Sequence, residues 1–87
     1  MTFNEKWKPF LGKGHYGLAF NNDKIEQYLN EVFEELVTIH GFEYYQIKLK
    51  FNYVRFYTNL STILGSKIGF ILEKGIQEEL QKIYENG

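Results

Sequence analysis

The chain has no cysteine among its 87 residues. That removes disulfides, thiolate zinc sites and cysteine nucleophiles together, and it fits a reducing compartment. Long apolar runs are missing too, since no stretch approaches the roughly 20 residues of a bilayer span. The amino terminus, MTFNEKWKPF, is charged from Glu5 onward and offers no apolar core for a signal peptide. These absences predict a soluble, cytoplasmic protein. An excess of charge is also lacking: ten basic residues against eleven acidic leave a formal net of −1, so no bulk electrostatic bias announces a nucleic acid or a membrane as partner.

Groups that do chemistry are sparse. Asp23 is the sole aspartate, and His15 and His40 stand far apart, with no H-x-x-x-H or carboxylate–histidine spacing that would hold a metal. Ser61 and Ser66 lack a recognisable nucleophile context, and most of the carboxylates are expected on exposed helix faces, where pKa tuning is weak. The expectation is a non-enzyme without cofactor or metal.

What the chain does have is apolar periodicity. Ile25, Tyr28, Leu29, Val32, Phe33, Leu36 and Val37 recur at intervals of three and four, predicting an amphipathic helix from Asp23 to His40. Asp23 is a cap candidate, with Glu26 three residues on, and Gly41 supplies a left-handed stop. The opposite face, with Glu26, Asn30, Glu31, Glu34 and Glu35, is acidic.

Before this helix, Tyr16, Leu18 and Phe20 alternate with small residues, the pattern of a short strand. After it, Tyr44 to Asn59 is β-branched and aromatic, but its alternation changes phase: Ile47, Leu49 and Phe51 are odd, while Val54, Phe56 and Thr58 are even. A tight hairpin centred on Asn52 and Tyr53 accounts for the change, setting Phe51 opposite Val54, Leu49 opposite Phe56 and Ile47 opposite Thr58. From Ser61 to Tyr84, Ile68, Ile71, Leu72, Ile76, Leu80, Ile83 and Tyr84 fit a second long helix, with Gly75 on the apolar stripe. The rival reading makes Lys67 to Glu73 another strand, ended by Gly75.

The predicted order is β-α-β-β-α, an α+β domain of two layers in which a small antiparallel sheet carries both helices on one face. Residues 16–87 form the domain, and residues 1–15 an aromatic and basic arm.

Gly12, Gly14 and Gly17 in LGKGHYGLAF have the G-x-G-x-x-G spacing, and with Leu11 and Tyr16 this decapeptide resembles the glycine-rich loop of protein kinases. That resemblance implies phosphate contact only alongside a strand lysine, a catalytic-loop aspartate and a metal-binding aspartate, and those motifs are absent. LKFNYVRF, residues 49 to 56, partly resembles the aromatic strand motif of RNA-recognition (RRM) domains at Phe51, Tyr53, Val54 and Phe56. It departs from that motif at Leu49, Lys50 and Asn52. The resemblance implies an RNA-binding sheet.

The other face of the predicted hairpin carries Tyr44, Gln46, Lys48 and Lys50 on one strand and Arg55, Tyr57 and Asn59 on the next, with Lys50 across from Arg55. Like charges directly opposite each other are destabilising, and an anionic partner would relieve the conflict. Charge is segregated along the chain as well: residues 21–43 carry one lysine against Asp23 and five glutamates, whereas residues 44–60 carry only Lys48, Lys50 and Arg55. Sixteen aromatic residues in so short a chain exceed what its core can hide. Tyrosine, tryptophan and arginine dominate interface hot spots, so Trp7, Phe10, Tyr44, Tyr53, Arg55 and Tyr57 join Lys48 and Lys50 as candidate partner-binding residues; the alternative for the arm is that it folds back and Trp7 covers an edge of the core.

These features predict a small protein-interaction module binding a larger protein or a second copy of itself. The lysine-, asparagine- and isoleucine-rich composition, as in AT-rich coding sequence, suits a phage-type inhibitor or adaptor. The alternative is a nucleic-acid-binding module using the basic and aromatic face of the hairpin.

Overall fold

The computed structural model describes residues 1–87. The chain opens with a one-turn helix, α1 (Phe3–Lys6), and a 3-10 turn at Lys8–Phe10. Strand β1 (Gly17–Leu18), helix α2 (Asp23–Leu36), strands β2 (Tyr44–Lys50) and β3 (Tyr53–Thr58), a one-turn helix α3 (Leu60–Ile63) and helix α4 (Ser66–Asn86) follow. The architecture is α+β, as the periodicities require. The sheet order is β1-β2-β3. The hairpin pair β2-β3 is antiparallel, and β1 joins β2 in parallel, making the sheet mixed rather than wholly antiparallel. The parallel pair follows from α2, which returns the chain to the end of the sheet where β1 began.

Helix α2 buries Ile25, Leu29, Phe33 and Leu36, four of the seven residues of the predicted stripe, with Tyr28, Val32 and Val37 half-buried beside them. Its cap is Asn22 rather than Asp23: the Asn22 side chain accepts the Ile25 backbone N–H at 3.0 Å. The helix ends at Leu36, not His40, because the β-branched run Val37-Thr38-Ile39 takes tighter three-residue turns before Gly41 reverses the chain. The long carboxy-terminal helix is present but starts at Ser66 rather than Ser61, because Gly65 at φ 87° separates it from α3, and the strand alternative over Lys67 to Glu73 is not realised. Gly69, not Gly75, is where α4 meets a neighbour closely, since a Cβ there would collide with the Leu60 carbonyl of α3.

The amino-terminal segment is built into the core instead of standing apart from residues 16–87. A capping box at Thr2 and Glu5 starts α1, and the Thr2 backbone N–H holds the Glu5 carboxyl below its ordinary range. Phe3 and Trp7 are buried among Phe33 and Tyr44, with Phe33 edge-on to Phe3 at 5.0 Å and to Trp7 at 5.6 Å. Phe42, Ile47, Val54, Phe56, Leu60, Ile76 and Leu80 complete one continuous cluster.

At both edges of the sheet side chains take hydrogen bonds that a further strand would otherwise make. On the β1 side, Asn4 behaves like one more strand residue: its amide donates to the Leu18 carbonyl at 3.0 Å while its oxygen accepts the Leu18 N–H at 2.9 Å. On the β3 side, α4 runs along the strand. Gln81 accepts the Val54 N–H at 2.7 Å, Gln77 that of Phe56 at 3.1 Å, and Glu73 that of Thr58 at 3.0 Å. The match is geometric, because four helical residues rise about 6.0 Å and two strand residues about 6.6 Å, so the i, i+4, i+8 row keeps step with alternate strand amides. Polar residues at this spacing replace the strand that β3 lacks, and they remove the edge on which another chain could add by backbone pairing.

Candidate interaction surface

The hairpin turn decides what the outer sheet face displays. It is centred on Phe51 and Asn52, both at positive φ (53° and 64°), with Lys50 paired to Tyr53 and Lys48 to Arg55. The expected turn at Asn52 and Tyr53 is thus one residue late, and every pairing moves by two. The shift keeps Ile47, Leu49, Val54 and Phe56 inward but expels Phe51 to the hairpin tip, where it is 81% exposed. Asn52 is held in place by α4: its carbonyl accepts from Gln81 at 3.2 Å and its side-chain oxygen from the Tyr84 hydroxyl at 3.4 Å.

A second irregularity sits at the start of β2. Between Tyr44 and Gln46 the register shifts, leaving Tyr45 as an extra residue, and this bulge rotates Tyr44 from the outer face into the core. The Tyr44 hydroxyl donates to the Asn4 oxygen at 3.1 Å, and burial pushes its pKa up to about 12.

The eight residues expected at a partner surface therefore divide. Trp7 is only 7% exposed, with its indole N–H donating to Asn30 at 2.9 Å, and Tyr44 is fully buried; neither can anchor a partner in this fold. Phe10 is half-buried against the core and lies apart, beside Val37 and Ile39. The remaining five come together. Lys48, Lys50, Tyr53, Arg55 and Tyr57 share the outer face of the β2-β3 hairpin, with Gln46 opposite Tyr57, Lys48 opposite Arg55 and Lys50 opposite Tyr53. The predicted conflict of like charges exists, with Lys48 rather than Lys50 facing Arg55.

Three residues extend this face that sequence reasoning did not assign to it. Phe51 crowns the hairpin, and Phe70 and Lys74 of α4 line a hollow of about 230 Å³ together with Tyr57. Cations lie against three of the four exposed rings of this face: Lys50 Nζ is 5.9 Å from the Phe51 centroid, the Arg55 guanidinium carbon 6.0 Å from Tyr53, and Lys74 Nζ 5.8 Å from Phe70. Arg55 Nε is buried without a hydrogen-bond partner, an unmet donor at the centre of the strip. Phe51 was hard to assign because its neighbours alternate as a strand does; the signal lay in Asn52, which tolerates the second position of a two-residue turn.

The two motif resemblances resolve into packing. A Cβ at Gly12 would press on the Tyr45 ring at 2.6 Å, and Gly17 at φ +71° lies against Asn4 and Tyr44. The RRM-like residues are split: Phe51 is in the turn, Val54 and Phe56 are in the core, and only Tyr53 faces outward. No group of three or more histidine or carboxylate side chains is placed to hold a metal ion, and no helix is long and apolar enough to cross a membrane. The chain matches no family model, and no curated protein or solved structure is detectably similar to it.

Proposed function

We propose that this protein is a small interaction module, an inhibitor or adaptor of the phage type working in the cytoplasm, whose outer sheet face docks onto an acidic surface of a larger protein. The observation that carries the reading is the opposed pair Lys48 and Arg55, with Arg55 Nε buried and unpartnered, flanked by Tyr53 and Tyr57. Carboxylates from a partner would relieve the repulsion and satisfy the guanidinium, while the tyrosines supply rigid apolar area at low entropic cost. The hairpin face is about 20 Å long and two strands wide, small for a stable interface, so its affinity depends on anchors such as Phe51 and the Tyr57–Phe70 hollow. With the β3 edge closed by α4 and Leu18 of β1 covered by Asn4, docking is through the side chains of the outer face rather than by strand addition to β3.

Protein is favoured over nucleic acid by the arrangement of the rings. Tyr53 and Tyr57 lie on one strand and face Lys50 and Gln46 on the other; a base-stacking platform is better served by rings on adjacent strands. The test is parallel capture from nuclease-treated lysate of the source cell with the wild type and with Lys48→Glu/Arg55→Glu, followed by salt titration of the recovered complex. The expected result is a protein retained by the wild type, lost by the variant and held with a shallow salt dependence. Equal retention by the variant refutes the site. A nuclease-sensitive complex that weakens steeply with salt refutes the partner class in favour of nucleic acid.

A further inference from the structure

Helix α4 has an apolar stripe that neither the core nor the sheet face uses. Ile68 and Ile71 are 64% and 62% exposed, and Gly75 continues their row one turn further on. A Cβ at Gly75 would meet nothing within 4 Å, so this fold does not require a glycine there, although glycine weakens a helix interior. At 3.6 residues per turn the three positions fall within about 60° of arc, on the side away from buried Ile76 and Leu80.

We propose that this stripe is the contact of an antiparallel two-fold dimer, its occupant a second copy of the chain. The patch is complementary to itself. A two-fold axis crossing α4 between Ile71 and Leu72 sets Ile68 of each copy over the gap at Gly75 of the other, about 10.5 Å along the helix. The same axis brings Ile71 beside its own mate and sets Lys67 of each copy level with Ile76 of the other, about 3 Å along the helix from Glu78 on the same flank. Knob and hole are thus matched by a single operation that also leaves the opposite charges within reach of a lysine side chain, as a two-fold interface requires. The cationic sheet face has the reverse property, because the corresponding operation would set Lys48, Lys50 and Arg55 against their own copies. The dimer therefore stands independently of the sheet-face reading. A helix pair of about three turns falls below the area of a standard stable interface, so this dimer exchanges with monomer.

Sedimentation from micromolar to millimolar concentration tests it, with three variants whose monomer fold is checked by circular dichroism. Gly75→Leu fills the hole at a position where a Cβ meets nothing of its own chain and should weaken the dimer about tenfold or more, roughly 1.4 kcal/mol. Lys67→Glu should also weaken it, and Lys67→Glu/Glu78→Lys should restore it. A monomer throughout the range overturns the proposal, as does a dimer indifferent to Gly75→Leu. A double variant no better than Lys67→Glu overturns it as well.

Discussion

Replacing Gln77 by methionine probes the way α4 closes the sheet. Methionine keeps the length and the apolar stem of glutamine but has no carbonyl oxygen, so the Phe56 N–H loses the acceptor it holds at 3.1 Å. Phe56 is buried, and the methionine covers the amide, so water is a poor substitute. A buried donor left unpaired costs about 1–3 kcal/mol, more than the net worth of an ordinary hydrogen bond. A loss of about 2 kcal/mol lowers the melting temperature of a domain this size by roughly 10 °C. Gln77→Glu retains an acceptor at the same reach and should remain near the wild type. The assays are urea denaturation for the global loss and amide hydrogen exchange for its location, with the Phe56 amide accelerated about tenfold or more in the methionine variant. A methionine variant within about 0.5 kcal/mol of the wild type, with Phe56 exchange unchanged, would refute the claim that α4 stands in for a fourth strand.

Gly69→Ala should destabilise the fold by about 1–3 kcal/mol, because its methyl collides with the backbone of α3, while Gly75→Ala, at dilute monomer concentration, should stabilise it by up to about 1 kcal/mol; thermal melts compare the two. Tyr44 and Tyr28 have raised pKa values, Tyr44 by burial to about 12 and Tyr28 by burial with help from Glu79. Their neutral forms favour the folded state, so this stability is fully present below the ordinary tyrosine pKa of about 10. It is lost as pH rises from there through the folded values, which alkaline denaturation monitored by tyrosinate absorbance should show as unfolding coincident with ionisation. Phe51→Asn relieves a bulky residue of positive φ and should stabilise the hairpin by about 1 kcal/mol, while weakening partner binding if Phe51 anchors it.

The helices were legible because burial writes itself into sequence at a period of 3.6, and the stripe Ile25, Leu29, Phe33, Leu36 is the stripe that is buried. The inward set of the hairpin was legible for the same reason at period two. The register was not, because moving a turn by one residue shifts each pairing by two and leaves the alternation intact; only the φ preferences of Phe51, Asn52 and Tyr53 distinguish the two hairpins, and each places one aromatic residue at positive φ. Tyr44 was misassigned because a bulge cancels one step of alternation without a local signal. Trp7 reads equally well as an exposed anchor or a core residue until its neighbours Phe3, Asn30 and Phe33 are known, and those lie up to 26 residues away in the chain. The edge-capping row Glu73, Gln77, Gln81 looks like an ordinary solvated helix face, since nothing in sequence says that a strand runs beside it.

The proposed docking site is the outer face of the hairpin. Side-chain oxidative footprinting of the complex with a captured partner tests it most directly, because Phe51, Tyr53, Tyr57 and Phe70 are all exposed in the free chain and share this surface. Met1 is exposed as well and serves as the reference outside it. Docking on this face should protect those four rings on binding and leave Met1 as reactive as before. Unchanged reactivity of the four, with protection elsewhere on the molecule, would contradict it.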